Sequence, residues 1–174
     1  LVPNILPLGV VVKVLQNLLR EQIPIRDMLT IVETLADWAP ITKDTDVLTD
    51  YVRQSLARTI TRMVQSDDDR ITVITLDHSV ESLVAESIQH TDHGSFLAIP
   101  PEAARKIMSS LARQIEKFKN RNLQPIVMCS SHVRSHFKKL TERFSPSLVV
   151  LSYNEILSHI NIQVLGAIGT SDAD

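Results

Sequence analysis

The stretch VQSDDDRITVITL, Val64 to Leu76, decides the fold, because the chain's pattern changes within it. Its three consecutive aspartates, Asp67 to Asp69, suit a solvated turn and mark a subdomain boundary. After them, RITVITL (Arg70–Leu76) is a short apolar run rich in branched residues, as expected of a strand covered on both faces.

Upstream of this point the periodicity is helical. Val11, Val14, Leu15 and Leu18, then Met28, Ile31, Val32 and Leu35, then Leu48, Val52, Leu56, Ile60 and Met63, recur at the three-and-four spacing of one helix face. Pro24 and Pro40 separate these stripes, and TKDTD (Thr42–Asp46) offers caps for the third. Trp38, three residues after Leu35, is expected to pack inside the helical subdomain or against its neighbour. Downstream, PIVMC (Pro125–Cys129) and SLVVLS (Ser147–Ser152) repeat the strand pattern. Three helical stripes lie among these runs: Val80–Ile88, Ala104–Phe118 and Val133–Leu140. NIQVLGAI, from Asn161, reads as an edge strand. The expected class is therefore mixed α/β, a helical subdomain over residues 1–66 followed by an α/β subdomain over 67–174 with a mainly parallel sheet.

A chain of 174 residues with 44% apolar content can bury a substantial core. Its 18 Lys and Arg against 20 Asp and Glu create no field of one sign that would recommend nucleic acid or an anionic membrane surface as partner. A single cysteine, Cys129, excludes an internal disulfide framework and fits a reducing compartment. The apolar stretch LPLGVVV (Leu6–Val12) is far too short to span a bilayer. The abrupt opening inside an apolar pattern, without an initiator Met, suggests a piece of a longer protein.

Each catalytic template meets a plainer alternative. Cys129, His132 and His136 offer a thiol and two imidazoles one helical turn apart, but structural zinc takes four ligands and no fourth has motif spacing. The expected arrangement is a buried thiol followed by a helix whose histidines face solvent. His90 and His93, in QHTDHGS, read as loop residues in water. Ser130 and Ser131 follow a strand, where serine first of all caps a helix, and no GxSxG elbow exists. With four glycines in all, the chain has neither GxGxxG nor GxxxxGK, hence no phosphate cradle, and no cofactor is expected. Asp67–Asp69 lack the alternation and glycine of a calcium loop. Arg134, Lys138, Lys139 and Arg143 form a basic helix whose default is a solvated face, and no aromatics interleave with it to stack bases. The alternative to a scaffold is a small α/β enzyme or ligand-binding domain, with its site at the strand carboxyl ends near Cys129, Ser130 and Ser152.

The charged pair in IPIRD (Ile23–Asp27) raises a separate question. Pro24 fits the first position of a helix, which would place Asp27 in the first turn, where the dipole favours an anion. Arg26 at the same end is unexplained by helix geometry and calls for a carboxylate partner elsewhere.

The motif KVLQNLLREQIPIRDMLTIVETLADWAP (Lys13–Pro40), followed by TDVLTDYVRQSLARTI (Thr45–Ile60), closely resembles the cytoplasmic region of the export-gate family of type III secretion systems, in its flagellar branch. QHTDHGSFLAIPPE and VVLSYNEI extend the resemblance into the α/β part. Family members carry serine or proline at the position of Pro24; serine there would complete a capping box with Asp27, which proline cannot. The resemblance implies a non-enzymatic gate at the cytoplasmic face of the inner membrane: a multi-spanning region, absent here, followed by four cytoplasmic subdomains in a nonameric ring. The ring receives export substrates with their chaperones and meets other components of the apparatus. This segment would supply part of the third subdomain and the whole fourth. On that reading Arg26, Asp27 and Arg53 serve assembly geometry: Asp27 holds a helix start, and the two arginines seek carboxylates within the helical subdomain or on an adjacent subunit. An exposed pair of this kind contributes only about 0–1 kcal/mol to folding.

Overall fold

A computed structural model describes residues 1–171; residues 172–174 of the expected second subdomain lie outside the described residues. The chain divides into two compact units, one comprising Leu1–Gln65 and Asn154–Ser158, the other Ser66–Tyr153 with the chain from His159 onward.

The first unit contains α1 (Leu8–Arg20), α2 (Met28–Trp38), α3 (Thr45–Ser55) and α4 (Ala57–Val64). The third apolar stripe of the sequence is therefore two helices. The chain breaks at Leu56, whose backbone leaves helical geometry at φ −92°, ψ 20°, while its side chain stays buried. Val14, Leu18, Ile31, Leu35, Leu48, Val52 and Ile60 are all buried, whereas Met28 and Met63, which the spacing placed on the same faces, are exposed, so the spacing located the middle of each stripe and not its ends. Each buried side chain contributes about 1.5–3 kcal/mol on removal from water. Asp44 caps α3, its carboxylate accepting from the amides of Asp46 at 2.8 Å and Val47 at 3.2 Å. The buried amide of Asn17 on α1 donates to the Thr49 hydroxyl on α3 at 3.1 Å, so this polar contact between helices is satisfied.

Helix α1 ends where Gln22 adopts a left-handed φ of 61°. The Ile23 amide then donates back to the Leu18 carbonyl and the Gln22 amide to that of Leu19, both at 2.9 Å. This closing pattern satisfies the last carbonyls and fixes Glu21 at the helix end.

The second unit is α/β, as the sequence predicts. Strands β1 (Arg70–Leu76), β4 (Ile126–Cys129), β5 (Val149–Ser152) and β6 (Asn161–Ile168) form one sheet in the order β5-β4-β1-β6, with every pair parallel. Helices α5 (His78–Glu86), α6 (Pro101–Asn120) and α7 (Ser131–Thr141) make the connections. Their apolar faces meet the sheet in one core that includes Ile74, Leu76, Leu111, Phe118, Val127 and Phe137. QHTDHGS, expected as a loop, is instead a hairpin: β2 (Ile88–Thr91) pairs antiparallel with β3 (Gly94–Leu97). The turn needs Gly94, whose φ of 126° a side chain would resist. NIQVLGAI is an edge strand, as expected. Its register against β1 shifts between Val73 and Ile74, leaving Leu165 as an extra residue between Val164 and Gly166.

Candidate functional site

Three places gather most of the residues singled out in the sequence. At the first, Asp27 is the N-cap of α2, not a residue of its first turn. Its carboxylate accepts from the Thr30 amide at 3.1 Å and from the Thr30 hydroxyl at 2.7 Å. The Thr30 hydroxyl, and then the amide, hold the exposed Asp27 carboxyl below the usual carboxylate range. Pro24 lies ahead of the helix in the connecting segment, so the expectation that it opens the helix fails; the side-chain cap at Asp27 sets the first helical residue at Met28, four residues later. Arg26 is exposed and has no ion pair among the described residues.

At the second, Arg53 is buried, 1% exposed. Its Nε donates to Glu155 Oε1 at 2.9 Å and its Nη2 to Glu155 Oε2 at 2.8 Å, a bidentate pair with a carboxylate that is itself 1% exposed. Glu21, placed by the end of α1, comes within 3.5 Å of Nη1. Of the two destinations expected for Arg53, a carboxylate within the helical subdomain or one on an adjacent subunit, the guanidinium has the internal one. Glu155 escaped the sequence reading. It lies in a short 3-10 turn, Tyr153–Glu155, at the start of the segment that rejoins the helical unit. An acidic residue just after an apolar strand was the available signal, and nothing local distinguishes it from a solvated turn.

At the third, the carboxyl ends of the strands, the alternative ligand site is already filled by the protein. The Glu81 carboxylate accepts from the Ser130 amide at 2.8 Å, occupying the N-terminus of α7 where a ligand anion would sit. Cys129 is buried, its thiol directed at the Leu151 carbonyl 3.8 Å away. Ser130 and Ser131 are half-buried, and Ser152 is 1% exposed. Burial pushes the Tyr153 phenol above its usual value, with the charges of Glu81 and Cys129 adding to the effect.

The metal-like trio does not converge. His132 is exposed, whereas His136, expected to face solvent, is buried with its Nε2 3.3 Å from the Ser95 hydroxyl. No group of three or more His, Cys, Asp or Glu among the described residues is arranged to hold a metal. His90 and His93 are exposed on the hairpin, and Asp67, Asp68 and Asp69 are exposed in their turn. The basic helix face is also corrected. Arg134 is buried and donates to the Val150 carbonyl at 3.1 Å, and Lys138 donates to the carbonyls of Pro146 at 3.2 Å and Leu148 at 2.7 Å. These cations satisfy the chain entering β5; Lys139 and Arg143 remain exposed.

The sequence matches the family described as the FHIPEP family over residues 1–161. The chain belongs to the FHIPEP family. The solved structures similar to this chain include the nonameric EscV cytosolic domain from the type III secretion system, at 32% identity and a TM-score of 0.76. This FHIPEP chain is 40% identical over 166 residues to the flagellar biosynthesis protein FlhA of Bacillus subtilis, a match covering 95% of the chain and 24% of FlhA. It thus spans about a quarter of the length of the curated relatives it matches. Among solved structures, the Chlamydia pneumoniae CdsV protein superposes with a TM-score of 0.86 at 35% identity, covering 97% of this chain and 48% of that one. The nonameric SctV-C of EPEC gives 0.84 at 32% identity, covering 95% and 49%. No helix among the described residues is long and apolar enough to cross a membrane.

Proposed function

We propose that this chain is part of the cytoplasmic ring of a flagellar-type protein export gate. The ring stands at the inner membrane, anchored by membrane spans elsewhere in the protein, and docks export substrates with their chaperones for handover to the rest of the export apparatus. The similarity along nearly the whole chain to a solved nonamer, at 32% identity and a TM-score of 0.84, is the observation that carries this reading. The helical unit is assigned to the third cytoplasmic subdomain and the α/β unit to the fourth. Within the ring, Asp27 fixes the start of α2 and thereby presents Arg26, exposed and without an ion pair among the described residues, to a carboxylate on an adjacent subunit. A closed ring repeats each contact around its circumference, so a defect too small to affect folding is multiplied in assembly.

The test is Arg26→Glu in the full-length protein. The melting temperature of the 174-residue chain should stay unchanged, while secretion and motility fall. Normal motility with normal ring assembly would remove Arg26 from the interface. Full-length protein that remains monomeric at the membrane would overturn the ring itself.

A further inference from the structure

The edge of the parallel sheet carries a second surface. Strand β6 pairs with β1 on one side only, so its other side presents main-chain N–H and C=O groups without strand partners among the described residues. A groove of about 470 Å³ lies over the face of the β1–β6 pair, next to the end of α6. Gln163, Val164 and Leu165 of β6 line the groove, Val164 being 59% exposed, and Thr72 of β1 lies alongside. Arg70 and Arg121 flank these residues, and no lining residue is acidic.

The sequence holds Arg121 there by a defined device. Helix α6 ends with Arg121 as its cap and Asn122 in the left-handed region at φ 56°. The Leu123 amide returns to the Phe118 carbonyl at 2.9 Å and the Asn122 amide to that of Lys119 at 3.0 Å. This closure fixes Arg121 and the apolar Leu123 beside the strand. One and two turns back along α6, Lys117 and Arg113 are also exposed, which extends the positive charge. Arg70 is paired with Asp68 at 2.8 Å, but both side chains are about half exposed, 43% and 54%, so a competing carboxylate has access.

From this arrangement we infer that β6 receives an extended, acidic segment of another protein, added as a further strand beside Asn161–Val164, with carboxylates on Arg121 and Arg70. Main-chain pairing supplies affinity in such strand addition, and the flanking side chains supply selectivity. The extra residue at Leu165 ends the regular register, which confines pairing to the first half of the strand. Cations at an exposed edge also prevent one sheet from pairing with another of its kind. The exposed aspartates Asp67–Asp69 stand at the Arg70 end of the edge, so the preference for a strand of opposite charge rests on the Arg121 end, with Lys117 and Arg113 behind it. This surface stands on its own residues and does not depend on ring formation.

The experiment uses the 174-residue chain and three fluorescent probe peptides in extended form: one alternating glutamate with valine, one alternating lysine with valine, and the glutamate peptide N-methylated at alternate residues. Binding is read by anisotropy and located by amide hydrogen exchange. The expected result is binding of the first probe alone, weakening with salt, with new protection at the β6 amides. Arg121→Glu should weaken it about tenfold or more, and Asp68→Ala should strengthen it by freeing Arg70. Arg121→Gln, gentler to the helix end, should act in the same direction at an unchanged melting temperature. Absence of binding, equal binding of the lysine or N-methylated probe, protection located away from β6, or affinity unchanged in both folded Arg121 variants would each overturn the assignment.

Discussion

Arg53 and Glu155 lie 102 residues apart in sequence and face each other through two hydrogen bonds, 2.9 and 2.8 Å, inside the helical unit. Because both ends of the pair are withdrawn from water, removing one partner strands a charge. Glu155→Ala and Arg53→Ala should each lower stability by about 3–5 kcal/mol, in contrast to the near-neutral value expected for an exposed pair. Replacing both together, Arg53→Met with Glu155→Leu, should recover most of the loss, since well-packed apolar groups substitute for a buried ion pair at little cost. Chemical denaturation of the three variants beside the parent checks this. Single variants as stable as the parent would show the pair to be open to solvent.

Asp27 offers a titration. With its carboxyl depressed by the Thr30 hydroxyl and amide, its contribution is fully present above the ordinary carboxylate pKa of the unfolded chain. It is lost as pH falls through the lower folded value. The Asp27 midpoint followed by carbon NMR should lie below that of a solvated aspartate, and Thr30→Val should move it upward. A midpoint unmoved by Thr30→Val would show that the hydroxyl contact does not persist in solution.

Trp38 is half-buried and stacks on Tyr51, with ring centroids 3.5 Å apart and planes within 7°. Its packing inside the helical subdomain is thus a half-covered stack, short of full burial. A fully buried Trp would lose about 3–5 kcal/mol on truncation to Ala. Here Trp38→Ala should cost about 1–3 kcal/mol, the usual range for a partly covered contact. Trp38→Phe, which keeps a stacking ring, should cost less than half of that loss. Thermal melts of both variants decide between them.

Lys138 and Arg143 separate the buried and exposed cations after β4. Lys138→Ala leaves the carbonyls of Pro146 and Leu148 without their donor and should cost about 1–3 kcal/mol. Arg143→Ala, at an exposed position, should stay within about 0.5 kcal/mol. Equal effects would contradict the inward path of the Lys138 side chain.

Periodicity made the architecture legible. Strands β1, β4 and β5 each follow from a short run of branched residues, because a parallel strand covered on both faces has no polar alternation to obscure it, and the edge strand β6 follows from the polar–apolar alternation at its start. The hairpin at Ile88–Leu97 was not legible: its exposed residues His90, Thr91 and Phe96 carry no apolar alternation, and its pairing is set by Gly94 and tertiary placement. Arg53 was legible as a residue in need of a carboxylate, but not as an interior one. Burial of a cation depends on a partner brought from 102 positions away, and no window of sequence contains both. Lys138 and Arg134 misled for a related reason. Long side chains on a helix reach past its surface, so a cation that reads as solvated can end on a carbonyl beneath.

The short return of Asn154–Ser158 to the helical unit ties the order of synthesis to the order of folding. Leu1–Gln65 leave the ribosome before the sheet, yet the bidentate partner of the Arg53 guanidinium is missing until Glu155 has been made. Completion of the first-made unit therefore waits for a segment that follows almost the whole sheet. Neither half is a transferable cassette: a gene fragment ending at Gln65 would enclose a cation without its main partner, and one starting at Ser66 would carry an acidic turn with nowhere to go. Recombination that swaps one unit between relatives would have to exchange two separate stretches at once, so Arg53 and Glu155 should be inherited as a pair.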